Sequence, residues 1–403
     1  MRIPSFYCSM APMTSVRFPT LPSLAPDRTF LAGDRYLVYF GTCTGGHTDR
    51  EGIYVAAFDS ATGTLDAPHL AAEAANPGFL AIHPSQKYLY AIGDRSNAGM
   101  REGDVMAFKV TLPEGKLTRI NQVSSMGRNP CHITMDRTGR MAMVANYSSG
   151  SVTSYRIHED GSLSEAISFH QHIGSSINPE RQEGPHAHSV NVSPDNRMAF
   201  ACDLGTDTIE IYTIDPATGR MEPGGSAAVP SGGGPRHLAF HPDGRFVFVN
   251  NELSMTVTSF SYDANRGTLT PIATVPTLSA ANRHRTGLST AEIAVHPNGR
   301  FIYVSNRGAD TIAVFSCEEE IGKLELIQNT RCEGRTPRHF HLDPTGKWCL
   351  IAHQDSHSIA VFAVDPVTGK FKFTGQMIAV RAPICVQFFT PCLRSGPGQF
   401  PMW

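Results

Sequence analysis

Thr208–Met221 reads TIEIYTIDPATGRM, an alternating apolar strand, an Asp-led turn and a Gly-x-apolar exit into a second strand. The unit recurs along the chain. Downstream copies are TVTSFSYDANRGTL from Thr256, TIAVFSCEEEIGKL from Thr311 and SIAVFAVDPVTGKF from Ser358; upstream copies are GIYVAAFDSATGTL from Gly52, DVMAFKVTLPEGKL from Asp104 and SVTSYRIHEDGSL from Ser151. Their first apolar residues, Ile53, Val105, Val152, Ile209, Val257, Ile312 and Ile359, recur at intervals of about 47 to 57 residues, the size of one propeller blade.

A second hairpin precedes the first within each unit: FLAIHPSQKYLYAIGD from Phe79, HITMDRTGRMAMVANY from His132, SVNVSPDNRMAFACDL from Ser189, HLAFHPDGRFVFVNNE from His237, EIAVHPNGRFIYVSNR from Glu292 and HFHLDPTGKWCLIAHQ from His339. Only six copies exist against seven of the other. The missing one is split between the ends of the chain, with YLVYFGT at Tyr36–Thr42 as one strand and APICVQFF from Ala382 as its partner. The fold class is therefore all-β: a seven-bladed β-propeller of four-stranded antiparallel blades whose ring closes by pairing N- and C-terminal strands, leaving no long edge unpaired.

The expected organisation of the 403 residues is a flexible N-terminal extension at 1–34, one propeller domain at 35–390 and a tail at 391–403. The extension carries scattered Pro and Ser but no continuous apolar segment after Arg2, although a degenerate export or organelle signal is the alternative. Charge is balanced, 34 Lys and Arg against 36 Asp and Glu, without a basic run, so neither nucleic acid nor a membrane is an expected partner. Nine scattered Cys without C-x-x-C suit reduced thiols and a cytoplasmic location.

Because every blade repeats one path, equal offsets fall on one ring around the axis. Take as zero the turn residues His83, Asp136, Ser193, His241, His296 and Asp343; His83, His241 and His296 precede Pro, and are expected to be structural. Five residues upstream stand Gly78, Cys131, His188, Arg236, Ala291 and Arg338, with Ile384 in the closing blade. Eleven downstream stand Asp94, Tyr147, Leu204, Glu252, Arg307 and Gln354, with Thr42. Antiparallel pairing brings both rings to one face of the disc. Residues this individual at equivalent positions look like a site grafted on a regular scaffold. His188, Arg236, Glu252 and Arg307 are the candidate catalytic residues; Arg338, His132, His237 and Gln354 are assigned to substrate binding.

At these residues the sequence resembles the lactonase, or 6-phosphogluconolactonase, seven-bladed propeller family, which includes the fungal 3-carboxy-cis,cis-muconate lactonizing enzyme. The resemblance spans residues 36 to 390 and is carried by GPHAHSVNVSPDNRMAFACDLGTD from Gly184, GPRHLAFHPDGRFVFVNNEL from Gly234, HPNGRFIYVSNRGADTIAVF from His296 and TPRHFHLDPTGK from Thr336. It implies a proposed catalytic His, Arg, Glu and Arg at His188, Arg236, Glu252 and Arg307. It also implies hydrolysis of a sugar lactone, 6-phosphogluconolactone above all, in the pentose phosphate pathway. Gly93-Asp94 and His353 depart from the family pattern and bear on which substrate is used.

The chemistry asks for a base on water, a cation at the oxyanion and an anchor for a substrate anion. His188 or Glu252 serves as base, Arg236 or Arg307 faces the oxyanion, and the other Arg with Arg338 grips phosphate or carboxylate. His186-x-His188 and His339-x-His341, with His132, lack a third and fourth ligand at defined spacing, so neither a metal nor another cofactor is expected. Two rivals remain: a cyclase forming a lactone from an unsaturated dicarboxylate, and a non-catalytic propeller acting as a binding platform.

Overall fold

The computed structural model describes residues 34–43, 52–94, 102–282 and 285–390. Apart from Asp34, the expected extension at 1–34 lies outside the described residues, as does the tail at 391–403. Each repeat folds into an antiparallel sheet, the upstream hairpin giving the two inner strands and the Asp-turn-Gly hairpin the two outer ones. In one blade the order from the axis outward is Ala187–Val192, Met198–Asp203, Thr208–Asp215 and Arg220–Ala228. Seven such sheets form the ring, and the described residues contain no helix.

Burial follows position in the blade. Second strands such as Met141–Asn146 (MAMVAN) are covered on both faces by neighbouring blades and are buried at every residue. An outermost strand, Leu163–Gln171, alternates instead between partly buried and exposed residues at the rim of the disc. This explains why the inner strands read as apolar runs while the outer ones read as period two.

Closure occurs as the split repeat implies. Pro383–Phe389 pairs antiparallel with Arg35–Thr42, Tyr39 standing opposite Gln387. The seam is reinforced from the next blade, where the Gln376 amide accepts from Leu65 N–H at 2.9 Å and donates to Leu65 C=O at 3.1 Å. Asn121 grips Leu163 in the same way, so the seam reuses a joint found elsewhere in the ring.

The turn histidines expected to be structural join successive blades. Nε2 of His83, His241 and His296 meets the carbonyl of Gly139, Gly299 and Gly346 at 2.7, 3.0 and 3.0 Å. The glycine is required at these joints: Gly299 has φ of 75°, and a Cβ there would lie 2.5 Å from His241 Nε2. His241→Ala should cost about 1–2 kcal/mol, a lost hydrogen bond plus a buried carbonyl left unmet. Urea unfolding checks this; an unchanged midpoint would show that the joint carries no load.

Candidate active site

The innermost strand admits an extra residue at its entrance in six blades. Ala187 pairs with Asp203 and Ser189 with Cys202, leaving His188 unpaired between them. The same slip isolates Arg236, Arg338, Cys131 and Ile384, and sets Ala291 and Glu292 against a single partner. A bulge re-aims side chains locally. Two consecutive residues thus face inward, one at the mouth and the next in the channel below.

At the mouth Glu252, four per cent exposed, gathers three guanidiniums. Its Oε2 lies 3.0 Å from Arg236 Nε and 2.9 Å from an Arg307 terminal nitrogen, and Oε1 lies 2.9 Å from Arg181. His188 Nε2 stands 3.9 Å from Oε2, beyond hydrogen-bond reach. Arg307 also donates to Thr290 C=O at 2.8 Å, and Arg236 to Ala291 C=O at 2.6 Å, so backbone carbonyls help to aim both. On the next blade, Arg338 reaches Gln354 Oε1 of its own sheet at 3.5 Å. The four candidate catalytic residues therefore meet at one rim, with Arg338 and Gln354 beside them; the Asp94 side chain lies outside the described residues.

Burial opposes ionisation of Glu252, but Arg307, Arg236 and Arg181 outweigh it and hold the carboxyl far below its ordinary value of 4.5. Glu252 is a fixed anion. Burial, with the positive charge of Arg236, pushes His188 well below 6.5, so its imidazole is neutral. Its Nδ1 lies 3.8 Å from the Cys131 thiol, and its Nε2 is the ring nitrogen nearer the Glu252 carboxylate. The Cys131 thiol, 3.8 Å from His188 Nδ1, is driven up to about 12 by burial and is no nucleophile at neutral pH.

His132 and His237 each follow a mouth residue, Cys131 and Arg236, by one position. Both are buried one layer beneath the mouth, where Phe79, His132, His237 and His339 from four blades meet around the axis with ring centroids 4.4 to 5.9 Å apart. His132 Nδ1 accepts from Val190 N–H on the next blade at 3.4 Å, and His339 Nδ1 accepts from Val386 N–H at 3.2 Å. An innermost strand has an open edge whose N–H groups need acceptors, and these imidazoles supply them. His237 is engaged by Arg236 and Glu292.

Arg181 and Tyr147 complete the rim. Arg181 sits on the connection between Leu163–Gln171 and Ala187–Val192 and donates to Tyr147 Oη at 3.0 Å as well as to Glu252. Its neighbour Gln182 is fully buried and ties the connection to Asp207 Oδ1 at 2.7 Å and Leu204 C=O at 2.9 Å. Tyr147 stacks on His186 at 4.6 Å. Repeat superposition missed Arg181 because it lies on a connection outside the repeated hairpins; a signal for it was the longest repeat interval, which spans it.

The family description "Lactonase, 7-bladed beta-propeller" matches residues 37–388. The chain is 33% identical over 354 residues to the 6-phosphogluconolactonase of Bacillus subtilis (strain 168), covering 88% of this chain and 98% of that protein. Identity to the 6-phosphogluconolactonase of Formosa agariphila is 32% over 354 residues, with 86% and 98% covered. Among solved structures, the periplasmic gluconolactonase of Pseudomonas aeruginosa aligns with a TM-score of 0.82 at 33% identity, covering 88% of this chain and 99% of its own. With seven blades, a ring closed through its termini and similarity across almost its whole propeller, the chain belongs to the lactonase family of seven-bladed β-propellers.

Proposed function

We propose that the protein hydrolyses a sugar lactone, 6-phosphogluconolactone to 6-phosphogluconate, without a metal. One observation carries the reading: the guanidiniums of Arg181, Arg236 and Arg307 converge on the single carboxylate of Glu252, and the charge of Arg338 bears on Arg236 and Arg307. Positive charge in such excess suits an anionic substrate, and forked donors suit phosphate or carboxylate oxygens. The names of the relatives point to the same substrate class.

His188 is the base in this reading. Its Nε2 lone pair takes the proton of a water as the water attacks the lactone carbonyl; Arg307 or Arg236 meets the charge that develops on the carbonyl oxygen, and the ring oxygen leaves with a proton. Glu252 holds the cations in place. An anion bound at Arg338 offsets part of the positive charge that depresses His188, so the base strengthens when the site is filled.

The test compares opening of phosphorylated and unphosphorylated gluconolactone by purified protein with the spontaneous rates. Wild-type protein should accelerate the phosphorylated lactone. Arg338→Ala should raise KM for it by about ten- to a hundredfold, the worth of a charge-assisted hydrogen bond, while changing the unphosphorylated lactone little. No acceleration of either lactone would sink the proposal; equal effects on both would remove Arg338 from phosphate recognition.

A further inference from the structure

Beneath the mouth runs a chain of hydrogen bonds that the steps above do not use. Arg236 Nη1 lies 3.1 Å from His237 Nε2. A guanidinium only donates, so Nε2 is the acceptor and the His237 proton sits on Nδ1. That Nδ1 faces Glu292, 3.1 Å from Oε1 and 3.0 Å from Oε2. From the opposite side Val386 N–H donates to His339 Nδ1, which places the His339 proton on Nε2, 3.3 Å from Glu292 Oε2. Ile293 N–H adds a donor to Oε1 at 3.0 Å. Burial lowers both imidazoles, His339 to about 3, in keeping with one proton on each.

We propose that Glu292 is a positioning residue for lactone opening. By accepting the His237 Nδ1–H at Oε1 it locks His237 in the tautomer that accepts from Arg236, and so sets the angle at which Arg236 meets Glu252 and the substrate. The proposal rests on the lactonase reading, which gives Arg236 a reacting group to meet.

A carboxylate is needed for a geometric reason. Glutamine has the same shape but one acceptor oxygen. With that oxygen toward His237 and Ile293, its NH2 confronts the His339 Nε2–H. Turned over, its NH2 confronts His237 Nδ1–H, and His237 must change tautomer and cease to accept from Arg236. The site is seven per cent exposed, so water does not readily relieve either conflict.

The experiment compares full-length wild type, E292Q, H237Q and the double variant, with steady-state lactone opening and 15N NMR of the imidazoles. At position 237 glutamine brings an acceptor oxygen toward Arg236 that owes nothing to residue 292. E292Q should lower kcat by about ten- to a hundredfold with KM within about threefold. In the H237Q background the same change should cost less than about twofold, since the two act as one unit. NMR should show His237 as the Nδ1–H tautomer in wild type and a shift toward Nε2–H in E292Q. An undiminished loss in the H237Q background overturns the proposal, as does an unshifted His237 in E292Q. If E292Q does not fold, wild type still decides, because an Nε2–H tautomer at His237 refutes the proposal directly. Should wild type open no lactone, the lactonase reading fails, and the tautomer data report separately on the Glu292–His237 link.

Discussion

Glu252→Gln should lower folding stability by about 3–5 kcal/mol, the cost of leaving buried charges without their partner. The amide keeps the shape of the side chain, so packing contributes little to the loss. What changes is that Arg181, Arg236 and Arg307, each 2.9 to 3.0 Å from the carboxylate, face one another without a counter-charge. Inorganic phosphate should restore part of the loss in the variant by binding the uncompensated cations, and should raise its melting temperature more than that of wild type. The pH dependence has a definite sign. Glu252 lies far below 4.5 in the folded protein, so its contribution is complete above 4.5 and disappears only as pH falls toward the folded value. The variant should lack this acid loss. Denaturant unfolding with and without phosphate checks both statements; wild-type stability and no phosphate dependence would mean that the carboxylate does not hold the three guanidiniums.

His188→Ala should reduce kcat for lactone opening by about 10²- to 10⁴-fold, the range associated with a positioned base. The choice between His188 and Glu252, open on sequence grounds, turns on their surroundings: three guanidiniums hold the Glu252 lone pairs, whereas His188 Nε2 stands 3.9 Å from the carboxylate and has no hydrogen-bond partner among the described residues. A base works in its deprotonated form, and His188 is pushed well below 6.5, so that form is complete above the lowered value. The enzymatic rate, corrected for spontaneous opening, should be flat from about pH 6 to pH 8 and fall only under more acid conditions. A rate that climbs through that window would assign the proton transfer to another group. Retention of full kcat in His188→Ala would remove the imidazole from the chemistry.

Much of this site was legible as arithmetic on the repeat. Offsets of five upstream and eleven downstream from the turn selected His188, Arg236, Glu252 and Arg307, because a blade copied around an axis carries equal positions to equal heights. The ruler selects Cys131 and Arg236, and His132 and His237 stand one residue further along the same strands. Strand alternation is a fair guide until a residue is inserted, and the bulges at Cys131 and Arg236 send the next residue into the channel instead of the rim. Arg181 escaped for the opposite reason, since it belongs to a connection that is not repeated and arrives at Glu252 from outside the pattern.

Architecture and the identity of the rim are properties of repetition, and repetition is written in the order of residues: seven outer hairpins, six inner ones and a divided seventh leave one way to close the ring. Ionisation, tautomers and hydrogen-bond direction are different in kind. Whether Glu252 is a base or a fixed anion, and which nitrogen of His237 carries its proton, depends on distances of about three ångströms between groups 16 to 71 residues apart in the chain. Electrostatic and hydrogen-bond energies change steeply over such distances in a buried site, so these properties exist only once the blades have been brought together.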